Sequence, residues 1–255
     1  MIPESARFPI EFDFEDYCAK RKGEIRPRAA FEPVADAAEA NRIVVDALRD
    51  QVADILREPA GALAHPYVVP GGPYGELWDW DAFFTAIPIA REHPEHLRGC
   101  LLNLLDGVEE HGQPPKLRTE YYTSYQGAQY PLHAQWAVLA SRAMGGDFDW
   151  VRPHWETLQR VRAWYDRDCG GRRGLYRINS QSGHDNDPAI YGRPKHSVAS
   201  VEMNCLHQRE LRAMAILAER FGERETAGRY RDRAREIAAA IEFYHFDPID
   251  GMYYH

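Results

Sequence analysis

The chain lacks long apolar runs, a basic stripe and paired cysteines, and each absence removes a class of protein. No stretch among its 255 residues approaches the roughly 20 apolar positions that a membrane helix needs, so no membrane partner is expected. Met1-Ile2-Pro3-Glu4-Ser5-Ala6-Arg7-Phe8 has no basic segment followed by an apolar one, so no secretory signal is read there. The four cysteines, Cys18, Cys100, Cys169 and Cys205, form no Cys-x-x-Cys pair. They read as reduced thiols of a cytoplasmic protein rather than a disulfide framework or metal set, with a mature secreted form left open. None of the 11 histidines stands in a His-x-x-x-His pair and no EF-hand-like acidic loop is present, so neither metal nor cofactor is expected. With 39 acids against 31 bases the net charge is −8. Interleaved charges of that balance exclude a nucleic-acid partner and mostly report solubility. There is no tight internal repeat and no series of alternating strands.

What remains is a helical pattern. A hydrophobic content of 44% is enough for a sizeable core, in one large domain or two small ones. Residues 1–33, with Pro3, Pro9, Pro27 and Pro33, read as an irregular N-terminal segment; 34–255 reads as the helical domain. Val44, Leu48, Val52, Ile55 and Leu56 mark a first helix by their three- and four-residue spacing. Further helices are expected over 79–93 with a break at Pro88, from Pro94 to about 110, over 131–144, 149–168, 198–221 and 224–243. Short turns alternate with long loops that carry aromatics and carboxylates. One rim of an antiparallel helical array then bears function while the other only connects. The class is all-α.

Two segments carry chemistry. In Gln181-Ser182-Gly183-His184-Asp185-Asn186-Asp187-Pro188 a carboxylate sits in a turn that cannot continue a helix. In Leu77-Trp78-Asp79-Trp80-Asp81-Ala82-Phe83-Phe84 indoles stand among carboxylates, a combination suited to the apolar faces and hydroxyls of a sugar. Other readings compete at each position. Asp185 can serve simply as a turn cap. Trp78 and Trp80 cannot share one helix face, so one belongs to the core and the other, with Trp80 favoured, to a pocket. Asp79 reads as a helix cap. Gln129 fits a satisfied core amide or a pocket wall. Glu202 has the chemistry of a general base but fits an ion-pair or substrate-loop partner better. His184 orients a substrate or fills its turn, and Tyr121, Tyr122 and Tyr125 line a rim or pack among themselves.

Six segments in order add a resemblance: Leu77-Trp78-Asp79-Trp80-Asp81, Gln129-Tyr130-Pro131-Leu132, Gly174-Leu175-Tyr176, Ser182-Gly183-His184-Asp185-Asn186-Asp187-Pro188, Val201-Glu202-Met203-Asn204 and Asp247-Pro248-Ile249-Asp250-Gly251-Met252-Tyr253-Tyr254. From about Tyr74 onward the chain resembles glycoside hydrolase family 63, the processing α-glucosidases. That family includes mannosylglycerate and glucosylglycerate hydrolases and has trehalases as relatives. The resemblance implies an (α/α)6 toroid of helical hairpins and hydrolysis with inversion at the anomeric carbon. It implies Asp185 as general acid beside Gly183, Trp80 and Asp81 gripping the sugar, and Gln129 and the loop aromatic Tyr74 facing the same pocket. Gln181 stands where the family usually has glutamate. The family's general base lies in the second half of the toroid, beyond residue 255. About seven helices are legible here, whereas twelve would need on the order of 400 residues, so the chain reads as the N-terminal part of the toroid or as a natural truncation.

The expected function is an inverting hydrolase of a small α-glucoside, glucosylglycerate-like or a disaccharide, with homo-oligomerisation left open. Two alternatives stand beside it. An unsaturated-uronide hydrolase needs only one aspartate and a basic pocket, for which Arg193 and Lys195 are at hand. A non-catalytic carbohydrate-binding remnant would bind without turnover.

Overall fold

The computed structural model describes residues 36–125, 130–177, 192–194 and 196–254. Residues 1–33, read above as an irregular segment, lie outside them. By contacts the chain divides into units 1–50 and 51–255, the divide falling within the first helix. The seven α-helices among the described residues are α1 Ala37–Ile55, α2 Asp79–Ile89, α3 Pro94–Leu105, α4 His133–Ala143, α5 Trp155–Asp168, α6 Val201–Arg220 and α7 Arg224–His245. Two-residue strands join them: β1 Leu56–Arg57 with β2 Tyr67–Val68, β3 Leu77–Trp78 with β4 Leu117–Arg118 and β5 Thr123–Ser124, and β6 Phe246–Asp247 with β7 Met252–Tyr253, all antiparallel. These pairings pin loops and leave the class all-α.

Local chemistry explains where the helices depart from their expected bounds. α2 stops at Ile89, one residue after Pro88, because the proline ring disrupts the ladder. α3 begins with Pro94 at its first turn, where a missing N–H costs nothing. It ends at Leu105 rather than about 110, tightening into bonds from Gly107 N–H to the Leu104 carbonyl (3.1 Å) and Val108 N–H to that of Leu105 (3.2 Å). Asp149–His154 is a 3₁₀ turn containing Pro153; in an α-helix the absent Pro153 N–H would have bonded Asp149. α6 starts at Val201 because the Ser200 side chain accepts the Met203 N–H and caps it. Of the spaced residues in α1, Ile55 packs on the core and Val52 is half-buried, whereas Val44 is exposed.

The core of unit 51–255 falls into two clusters. The first gathers α2, α3, α4 and the start of α5 around Leu97, Leu101, Trp136 and Leu158. The Trp136 indole donates to the Leu97 carbonyl (2.6 Å), satisfying its one polar atom while joining α4 to α3. The second gathers Val161, Trp164, Tyr176, Leu211 and Ile237 from α5, α6, α7 and the loop between α5 and α6. α4 packs on α3 and α6, and α6 on α7.

Candidate active site

The N-terminal ends of alternate helices converge on one point. Trp80, the second residue of α2, packs at a tilt of 38° against Tyr130, three residues before α4, with ring centroids 4.3 Å apart. The Tyr130 hydroxyl donates to the carboxylate of Glu202, the second residue of α6. Each helix brings the positive end of its dipole, so the place suits carboxylates, and Asp79, Asp81 and Glu202 stand there. Trp80 is half-buried, and Phe84 meets it edge-on at 4.6 Å. Trp78 is also half-buried rather than core; its indole donates to Glu76 (3.3 Å) and Lys116 lies 5.6 Å from its ring.

Asp79 is not the helix cap that the sequence implied. Trp78 occupies the cap position, and Asp79 is the first helical residue, 5% exposed. Its Oδ1 accepts the Trp80 N–H at 2.6 Å. Burial pushes the Asp79 carboxyl well above the ordinary range; the Trp80 N–H opposes this and the Asp81 charge adds to it.

Behind this point lies a buried polar layer. α4 has no side-chain cap of its own. The buried Glu210 of α6 fills the role across the interface, accepting the N–H groups of Ala134 (2.7 Å) and Gln135 (3.0 Å). Burial nevertheless raises Glu210 to about 7. Arg162 of α5, 3% exposed, donates to Asp166 (2.7 Å) and to Nδ1 of His207 (2.9 Å). A guanidinium can only donate, so that Nδ1 carries no proton. Burial first, then Arg162 and Arg233, holds His207 well below the ordinary histidine range.

Tyr176 stacks on His207 at 3.7 Å, and its hydroxyl donates to Asp166. The backbone of Tyr176 is fixed from both sides by the fully buried Asn204: its N–H donates to Oδ1 (2.7 Å), and Nδ2 donates to its carbonyl (3.0 Å) and to that of Ser200 (2.9 Å). One amide thus ties together Tyr176 and Ser200, the two stems that flank Asp185 in sequence, at a site two residues along α6 from Glu202.

Asp185, Gly183 and Gln129 lie outside the described residues. Of the other expected site residues, Trp80 packs on Tyr130, and Asp81 is half-buried in the same first turn of α2, its charge acting on Asp79. Tyr74 is exposed in the turn closed by its own N–H to the Gly71 carbonyl (3.2 Å), and no described contact joins it to Trp80. Tyr121 and Tyr122 are exposed, and the Tyr125 hydroxyl donates to the Gly107 carbonyl (2.7 Å). Arg162, His207 and Glu210 were missed as site-building residues. Their signal was a charged or polar residue within an apolar helical stripe: Glu210 between Leu206 and Met214, Arg162 beside Leu158.

This helical fold is shared with solved glycoside hydrolases. A mannosylglycerate hydrolase of glycoside hydrolase family 63 from Thermus thermophilus shares it with a TM-score of 0.60 and 19% identity, over 81% of this chain and 67% of that one. A rhamnosidase from Klebsiella oxytoca shares it with a TM-score of 0.53 and 20% identity, over 70% of this chain and 34% of that one. The Mannosylglycerate hydrolase MGH1-like glycoside hydrolase domain matches residues 74–255, and the chain belongs to that family. Among curated relatives, a periplasmic trehalase of Pseudomonas aeruginosa is 30% identical over 112 residues, which are 44% of this chain and 20% of the relative. A cytosolic neutral trehalase of Kluyveromyces lactis is 30% identical over 83 residues, 32% of this chain and 11% of the relative. The matched stretches therefore span a fifth or less of these two trehalases, and the toroid present here is incomplete.

Proposed function

We propose that the chain forms part of an inverting glycoside hydrolase acting on a small α-glucoside, either glucosylglycerate-like or a disaccharide. The observation that carries this reading is the tie at Asn204. It holds Tyr176 and Ser200, which flank Asp185 in sequence, two residues along α6 from Glu202 and so next to the contact of Trp80, Tyr130 and Glu202; this supports a sugar site to which the segment between them contributes. Asp185 is assigned as general acid, giving a proton to the glycosidic oxygen as the bond to the anomeric carbon breaks. Trp80 and Asp81 hold the sugar, with Gly183, Gln129 and Tyr74 as further contacts. A second carboxylate must take a proton from water on the opposite ring face, roughly 6.5–9.5 Å from the first. Asp79 is buried and Glu202 accepts the Tyr130 hydroxyl, and neither is assigned as that base.

A cytoplasmic setting is supported by the described cysteines, Cys100, Cys169 and Cys205, which are all unpaired. No helix among the described residues is long and apolar enough to cross a membrane.

The test is a panel of α-glucosides and unsaturated uronides, run on this chain and on the protein as produced from its gene, with Asp185→Asn as control. That substitution should cost about 10²–10⁴ in rate. Undiminished turnover would remove Asp185 from its role. Retained configuration in the first-formed product, read by anomeric NMR, would contradict inversion, and turnover of uronides alone would favour the single-aspartate chemistry.

A further inference from the structure

Outside the stems of the Asp185 loop lies a cavity of about 700 Å³, within the range of small-molecule sites. Its walls include Arg172, Arg173, Arg177 and Arg193, together with His245 and Tyr254. It is separate from the convergence described above. Leu175 and Ala199 face the cavity, whereas their neighbours Tyr176 and Ser200 enter the Asn204 tie on the other side. Trp80, Tyr130 and Glu202 form none of its walls.

The charge here is unbalanced. Among the described residues the lining contains four arginines and no carboxylate, in a chain whose net charge is −8. Arg177 donates to the Gly170 carbonyl (3.0 Å) and Arg173 lies over the Tyr244 ring at 5.0 Å, so each side chain is steered without being neutralised. Arg172 and Arg193 have no carboxylate partner among the described residues. His245 in the wall is 6% exposed and donates from Nδ1 to the Tyr254 carbonyl (2.7 Å), so its Nε2 is an acceptor and leaves the recognition of an anion to the guanidinium groups. Like charges gathered around a concave site raise the local potential, and a planar guanidinium matches an oxyanion two oxygens at a time.

We propose that this cavity binds a small molecule bearing a phosphate-type oxyanion, held by the guanidinium groups of Arg172, Arg173 and Arg193. The site stands apart from the sugar-binding residues and against the stems of the loop that carries Asp185. Occupying it places an anion on both stems at once and tightens them.

Isothermal titration calorimetry on the 255-residue chain tests this, using inorganic phosphate and glucose 6-phosphate at ionic strength held constant with chloride, with glucose as the uncharged comparison. Saturable binding of both phosphates that weakens in the arginine variants is expected, whereas any binding of glucose at the Trp80 site should be the same in parent and variants. The double variant Arg173→Gln/Arg193→Gln should bind at least about tenfold more weakly, and Arg193→Gln alone about threefold. Arg231→Gln, which removes an exposed guanidinium paired with Glu219 on the surface, should bind as the parent does. Thermal unfolding establishes that each variant is folded, and Arg193→Gln suffices if the double variant is not. Absence of saturable heat from both phosphates, or parental affinity in a folded Arg193→Gln variant, would overturn the proposal. The readout is binding, so its result is independent of whether the chain hydrolyses glycosides.

Discussion

Replacing Asn204 by alanine should damage the protein far more than loss of one small side chain implies. The amide supplies three described side-chain hydrogen bonds, to the Tyr176 N–H, the Tyr176 carbonyl and the Ser200 carbonyl. Asn204 and Ser200 are fully buried, and Tyr176 is 1% exposed. Removing the amide leaves both backbone groups of Tyr176 without their described partners in a place water does not reach. Each such orphan costs about 1–3 kcal/mol. The Ser200 carbonyl still receives the Asn204 N–H (3.2 Å), so its loss adds only about 1 kcal/mol. The sum is about 3–7 kcal/mol, a large part of the roughly 5–15 kcal/mol that holds a domain folded. For a unit of this size the midpoint should fall by on the order of 10 °C, measured by circular dichroism and cross-checked by urea unfolding. Amide exchange at Tyr176 and Met203 should accelerate more than in α3. Asn204→Asp separates hydrogen bonding from shape. It keeps the acceptor for Tyr176 N–H but sets an anion against two carbonyls, so it should be no better than alanine at neutral pH and should recover partly in acid, where a protonated carboxyl can donate. An Asn204→Ala variant within about 1 kcal/mol of the parent would show that the stems are held by something else, and the link between this tie and the Asp185 loop would fail.

Three other outcomes follow from the same coordinates. A Cβ at Gly99 would lie 2.0 Å from the Pro66 carbonyl oxygen, whereas one at Gly228 meets nothing within 4 Å. Gly99→Ala should therefore destabilise by about 1–3 kcal/mol despite better helix propensity, while Gly228→Ala in α7 should stabilise by up to about 1 kcal/mol; equal shifts in chemical denaturation would refute the packing argument. Glu210 binds its proton more tightly folded than unfolded, rising from 4.5 to about 7, so its contribution is complete below pH 4.5 and fades as pH climbs to 7. His133, lowered from 6.5 to about 4 by burial, has the opposite slope, its contribution present above 6.5 and lost as pH falls through 4. Glu210→Gln should then make stability rise more steeply with pH between 4.5 and 7 than in the parent, by up to about 3 kcal/mol across the window; an unchanged urea-midpoint profile would show that Glu210 ionises normally. Trp80→Ala should weaken carbohydrate binding by about tenfold or more with the fold retained, and unchanged affinity by calorimetry would take Trp80 out of the sugar site.

Much of this molecule was fixed by local sequence. Apolar spacing together with proline and glycine punctuation located the seven helices of the described residues, Pro94 marked a start and Pro88 a stop, because helix periodicity and breaking are properties of neighbours along the chain; the cap at Ser200, three residues after the expected start, was found only in the structure. The Trp78–Asp81 segment stood out for the same reason, its indoles and carboxylates alternating within four neighbouring residues. Other features required the chain to fold back on itself. Glu210 caps a helix some 75 residues away in sequence, Asn204 fastens the backbone of Tyr176, 28 residues before it, and Asp79 is buried in the first turn rather than capping it. The arginines around the outer cavity stand in segments that look merely solvated when read in order. A partner's distance in space, and the exclusion of water that makes an unpaired group costly, arise only when helices pack; these decide which polar residues build a site and which only cover the surface.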